Sequence, residues 1–225
     1  MFSYDPFPLA AAEEAVVVDE AFKILMVQSV PVFSFVLAAL GYSVFRFRRK
    51  GEPGDPIEDG PPIHSHRGVL STWFAITTAL TVLVIIFPGI TGLLDLRERA
   101  SEPPDQIVQL RGVRWAWLAT YPEYGVTLRS GESLVLPVDD LIKFEITSMD
   151  VLHAFWIPAF RMKIDAVPGL ITTITATPNS TGTFESNYNL RLQCAELCGG
   201  DHAGMVLPIQ VVERDEFEAW IADRT

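Results

Sequence analysis

The sequence predicts a membrane-anchored all-β protein, a two-helix transmembrane hairpin followed by a Greek-key β-barrel or sandwich. Three observations carry that prediction. Two long uncharged apolar runs lie in the first half of the chain, short alternating strands take over from Ile107 onward, and a dense set of sulfur and imidazole side chains follows near the C-terminal end. Of the 225 residues 49% are hydrophobic, and because that excess is concentrated in the first half, a small domain plus an anchor fits better than one large core.

Residues 1–23 read as an outer N-terminal segment. They carry Asp5, Glu13, Glu14, Asp19 and Glu20, whereas a secretory signal would open on a basic stretch, so the helix that follows is expected to be retained. Residues 24–45 contain no charge and exceed the roughly 20 residues that a helix needs to span a bilayer. Pro31 is expected near the start of that helix, where a missing amide costs little. Residues 46–67 form a connecting loop with Arg46, Arg48, Arg49, Lys50 and Arg67, and a Gly- and Pro-rich centre that also holds Glu52, Asp55, Glu58 and Asp59. By the positive-inside rule this loop is cytoplasmic, and both termini are then outside. Residues 68–94 supply the second transmembrane helix.

Residues 95–225 form the outward-facing domain. Strands are expected over Ile107–Trp117, Ser133–Pro137, Ile142–Thr147, Leu170–Ala176, Gly182–Tyr188 and Met205–Val212, punctuated by Gly131, Pro178-Asn179 and Gly199-Gly200. A short helix over Asp215–Ala222 closes the chain, with its acidic residues suited to an N-terminal turn. This domain holds most of the acidic excess behind the net charge of −11, which argues against nucleic acid as a partner and would steer a basic protein towards it.

The informative stretch runs Cys194-Ala-Glu-Leu-Cys198-Gly-Gly-Asp-His202-Ala-Gly-Met205, with His153 upstream at another strand end. Two thiolates, two imidazoles and a thioether form a soft donor set that selects copper or zinc over hard cations. A single-copper site needs one Cys, two His and a weak Met, so one cysteine is in excess. Two cysteines four apart on a tight loop would let both sulfurs bridge two copper ions, with Met205 as one axial donor and the Glu196 carbonyl as the other. A Cys194–Cys198 disulfide and a structural zinc site are the competing readings, although zinc has no use for the methionine.

These residues resemble cytochrome c oxidase subunit II. The resemblance rests on Leu134–Pro137, Phe144–Asp150, His153-Ala-Phe-Trp-Ile-Pro-Ala-Phe, Asp165-Ala-Val-Pro-Gly169 and the whole Cys194–Met205 loop, below a helix hairpin of the same architecture. It implies a cupredoxin-like domain in an oxidase that takes electrons from cytochrome c or another soluble donor, reduces dioxygen to water and pumps protons, with the haems in subunit I and other membrane subunits beside it. It further implies that His153, Cys194, Cys198, His202 and Met205 are copper A ligands and that Glu196 gives its carbonyl. The Glu196 carboxylate, with Asp165 nearby, would reach a magnesium ion shared with subunit I, and His202 would lie on the side where electrons leave. Trp115-Ala-Trp117 resembles the aromatic stretch of that family, with Trp115 as the electron entry and Trp117 as core. Ala116 stands where a third aromatic is usual. Leu70, three residues before Trp73, replaces the glutamate that many members carry at the mouth of a proton path, which leaves His64 or His66 as nearby titratable candidates. A quinol-oxidase-type subunit would lack the copper ligands that are all present here. A nitric oxide reductase subunit stays open, because the catalytic subunit selects the substrate.

Overall fold

A computed structural model describes residues 7–48, 66–129 and 131–225. Most of the expected cytoplasmic loop, with His64, therefore lies outside the described residues, as do the first six residues. The chain divides into two units: Glu20–Leu93 is one, and Leu94–Thr225 together with the segment up to Asp19 is the other.

The first unit is built from helix α1 (Glu13–Arg46) and helix α2 (Arg67–Val84). A π-helical stretch, Ile85–Ile90, then leads into helix α3 (Thr91–Ala100). Glu13–Arg46 and Arg67–Ala100 are each 34 residues and apolar enough to cross a membrane. Two details differ from the sequence expectation. Helix α1 begins well before Ile24, so Pro31 sits in its interior, where it leaves the Val27 carbonyl without its usual amide donor. The second run bends at Phe87, whose backbone is extended (φ −136°, ψ 118°), because the residue before Pro88 is driven out of the helical region.

The second unit is a two-sheet β sandwich. The first sheet orders its strands β3-β2-β1-β5-β8, comprising β1 (Gln106–Val113), β2 (Ala116–Tyr121), β3 (Val126–Thr127), β5 (Ile142–Ser148) and β8 (Thr172–Ala176). The second orders them β4-β11-β10-β6-β7, comprising β4 (Leu134–Pro137), β6 (His153–Ile157), β7 (Met162–Ala166), β10 (Arg191–Cys194) and β11 (Val206–Val212), with the short β9 (Gly182–Thr183) on β11. Two parallel pairings, β1 with β5 and β4 with β11, join strands remote in sequence through crossover connections. This is the cupredoxin-like all-β architecture expected, closed as two sheets rather than as one continuous barrel.

Strict alternation in β5 turns Ile142, Phe144 and Ile146 inward, and β1 turns Val108 and Leu110 the same way. Across the core Phe144 meets Phe155 of β6 at 5.2 Å between ring centroids. Each such fully buried side chain contributes about 1.5–3 kcal/mol. Helix α4 (Arg214–Ala222) closes one end by packing Phe217 and, edge-on, Trp220 against Tyr121. The Tyr121 hydroxyl donates to the Val135 carbonyl at 2.6 Å and accepts from the Val135 amide at 3.1 Å, which ties the two sheets together. At another side the N-terminal segment is strapped to the sandwich. Ala11 donates to Ala159, Glu13 to Thr177, the buried Glu14 carboxylate accepts the Thr177 amide, and Asp19 pairs with Arg161.

Several strand expectations are corrected. The predicted strand Ile107–Trp117 is a hairpin, β1 and β2, that reverses at Arg114-Trp115. Gly182–Tyr188 keeps only two strand residues, since Ser186, Asn187 and Leu190 turn back through local hydrogen bonds to Thr183 and Asn187. Strands β3, β6, β7 and β10 had no sequence expectation of their own; β6 and β10 are buried along most of their length, so the period-two signal is lost.

Candidate metal centre

The site is made by the ends of three strands. His153 opens β6, Cys194 closes β10, and Met205 immediately precedes β11. The β10–β11 pairing closes the intervening loop at its base, where the Cys194 amide donates to the Met205 carbonyl at 3.1 Å. Inside the loop Ala195 donates to Ala154, His202 to Gly199 and Met205 to His202, so the backbone is fixed at both ends and in the middle. A Cβ on Gly204 would stand 2.5 Å from an Asp201 carboxylate oxygen, so the exposed Asp201 side chain would have to swing aside to admit one.

All the sequence-predicted donors come together. Cys194 Sγ lies 3.7 Å from His153 Nδ1, 3.8 Å from Cys198 Sγ and 3.1 Å from the Glu196 carbonyl. Cys198 Sγ lies 3.5 Å from His202 Nδ1 and 3.9 Å from Met205 Sδ. The ligand atoms of His153, Cys194 and Cys198 all fall within 4.8 Å of one another. The two sulfurs stand far beyond the about 2.05 Å of a disulfide, and both cysteines are free. Each thiol thus has its own imidazole, and the Glu196 carbonyl lies by Cys194 while the Met205 thioether lies by Cys198.

His153 and Met205 are fully buried and both cysteines nearly so, while His202 is half-buried. Burial, and after it the neighbouring Cys194, pushes the Cys198 thiol up to about 11. A thiol so raised does not ionise unaided, and a bound cation is what favours its thiolate. The donor chemistry therefore fits a soft metal and not a catalytic thiol, whose ionised form needs a cationic or exposed setting.

Around the donors stand residues to which the sequence attached no role. Asp150 accepts at 2.9 Å from His153 Nε2, so the other ring nitrogen keeps its lone pair towards Cys194. Desolvation works against a charge on Asp150. Hydrogen bonds from His153 and from the Val151 and Arg114 amides outweigh it and hold the carboxyl well below the usual carboxylate range. Gly112 leaves the space that the His153 ring fills, and Trp117 packs edge-on against the same ring at 6.1 Å. The signal for Asp150 was a carboxylate three residues before a ligand, a frequent outer partner of metal-bound histidine.

Trp115 is 41% exposed and lies against the backbone of Gly199, where an added Cβ would come within 3.3 Å of the indole. Trp117 is buried, as expected of core. The carboxylates of Glu196 and Asp165 are exposed and join no gathered cluster among the described residues. Leu70 is exposed on α2, and His66 lies just before that helix.

Two helices apolar enough to cross a membrane, followed by a β sandwich that gathers two thiols, two imidazoles and a thioether, fit a membrane-anchored protein with a donor set suited to a soft metal. The family model described as cytochrome C oxidase subunit II, periplasmic domain, matches residues 120–213. Cytochrome c oxidase subunit 2 of Thermostichus vulcanus is 30% identical, over 95% of this chain and 76% of that protein. The subunit 2 of Alkalihalophilus pseudofirmus is 32% identical over 88% of this chain, which spans 56% of that relative's length. Among solved structures, the periplasmic domain of subunit II of cytochrome oxidase from Bradyrhizobium japonicum is 32% identical, with a TM-score of 0.48, covering 55% of this chain and 95% of that one. The chain belongs to the cytochrome c oxidase subunit II family. It is accordingly a subunit of a haem-copper oxidase, an oxidoreductase, and the family implies copper at the cysteine loop.

Proposed function

We propose that this chain accepts electrons from cytochrome c, or another soluble donor, at a dinuclear copper A centre and delivers them to the haems of subunit I. There they reduce oxygen to water with proton pumping. The observation that carries the reading is the unbroken series of donor contacts, from His153 through Cys194 and Cys198 to His202, flanked by Met205 and the Glu196 carbonyl. Bound copper supplies a one-electron couple shared between two ions.

The chain's own residues set the conditions for that couple. Strand ends and a loop tied by backbone hydrogen bonds hold the ligands in place, so little rearrangement accompanies oxidation. Trp115, exposed over Gly199, gives a donor an aromatic contact at the surface. His202, less buried than His153, serves the exit towards subunit I. The exposed Glu196 carboxylate, with Asp165, is suited to a magnesium ion at that interface. The sandwich and both termini lie on the outer side of the membrane, with residues 24–45 and 68–94 as the spans and 46–67 as the cytoplasmic loop. Leu70 cannot carry a proton, so proton entry uses another group, with His66 at the start of α2 a candidate.

Full-length chain loaded with copper is expected to be purple, with a seven-line electron paramagnetic resonance spectrum. A colourless protein, or a four-line mononuclear spectrum, overturns the reading.

A further inference from the structure

The β1–β2 hairpin carries Trp115 at its turn, and His153 opens β6 in the other sheet. One side chain touches both. Asp150 Oδ2 accepts from the Arg114 amide and from Arg114 Nε, each at 3.0 Å, and so fixes the Val113–Arg114 peptide at the turn, one residue before Trp115. Its Oδ1 accepts from the Val151 amide at 2.7 Å and from His153 Nε2 at 2.9 Å. The carboxylate is itself held: Asp150 and Met149 anchor their amides on Ser148 Oγ and the Gly112 carbonyl, so segment 148–151 cannot drift from β1.

From this geometry we infer that Asp150 is a positioning residue for electron entry, one carboxylate setting both the ring of His153 and the turn that presents Trp115. The inference rests on the electron-transfer reading above. An ionised carboxylate can only accept hydrogen bonds, so His153 must carry its proton on Nε2 and direct Nδ1 to the metal side. The same bond raises the basicity of the ring, which favours the oxidised metal. Arg114 balances the charge, and its two bonds to Oδ2 place the hairpin turn at a fixed distance from the ligand.

The test uses the complete oxidase with Asp150→Asn and Asp150→Ala. The isosteric Asn keeps the shape of the turn and one acceptor oxygen, and the Ala removes both acceptors. Three quantities are measured: the midpoint potential of the copper centre, the hyperfine coupling of the exchangeable His153 ring proton, and the rates of reduction by cytochrome c and by hexaammineruthenium(II). Both variants are expected to raise the potential and alter the ring-proton coupling, Ala more than Asn. Reduction by cytochrome c should fall about 10–100-fold in the Ala variant, the loss usual for an outer partner of a metal ligand. The ruthenium complex, which does not need Trp115, should lose less. A slowed cytochrome c reaction with unmoved potential and ring-proton coupling overturns the inference, because Asp150 would then act only as surface charge. Absence of the dinuclear spectrum in the unsubstituted oxidase would instead sink the electron-transfer reading itself.

Discussion

Gly112 lies directly beneath the imidazole of His153, and a Cβ on it would stand 2.8 Å from ring Cδ2. The ligand's place therefore depends on a missing side chain in the opposite sheet. Gly112→Ala is expected to displace the ring and destabilise the domain by about 1–3 kcal/mol, the usual cost of overpacking. Thermal melting, with copper titration alongside, checks it; wild-type stability with full copper uptake would show that the ring has room to yield.

Trp115→Phe should slow reduction by cytochrome c and leave the copper spectrum as it is, because the indole packs beside Gly199 and Gly200, which carry no donor side chain. Stopped-flow reduction measures this directly, and unchanged kinetics would refute the entry role.

Met205→Leu nearly conserves volume at a fully buried position, so stability should change by less than about 1.5 kcal/mol. The copper potential and optical spectrum should nevertheless shift, since the thioether near Cys198 is gone. An unaltered spectrum would assign Met205 to packing alone.

The buried Asp140 pairs with Arg214 at the start of α4, yet its other oxygen has no partner among the described residues. Burial raises its pKa, with Arg214 opposing and Asp105 adding to the rise. A carboxyl whose folded pKa exceeds its unfolded value binds more protons when folded, so this site favours the fold at low pH and loses that advantage as pH rises through the folded pKa. Arg214→Gln should cost about 1–3 kcal/mol at neutral pH, and the deficit should shrink as the pH falls towards the acidic range. Asp140→Asn should flatten the same dependence. Melting temperatures across pH test both, and a deficit that stays constant with pH would assign the loss to α4 packing.

The metal ligands were legible in the sequence because four of them lie on one short loop, where spacing alone dictates proximity, and because an extra cysteine is a chemical anomaly. The apolar helices were legible for a similar reason, since a run without charge is a one-dimensional signal. The hairpin at Arg114-Trp115 was not: its two strands read as a single run, and nothing local marks the reversal. Strands β6 and β10 were hidden because burial on both faces removes alternation.

By itself the sequence determined what the chain can bind and that it has two helices able to lie in a bilayer, because donor type and hydrophobicity are properties of residues. Only the tertiary structure decided how His153 is held. That depends on a glycine of β1, a carboxylate between strands and an arginine at a hairpin turn, far apart in the chain and joined only when the two sheets close over their shared core.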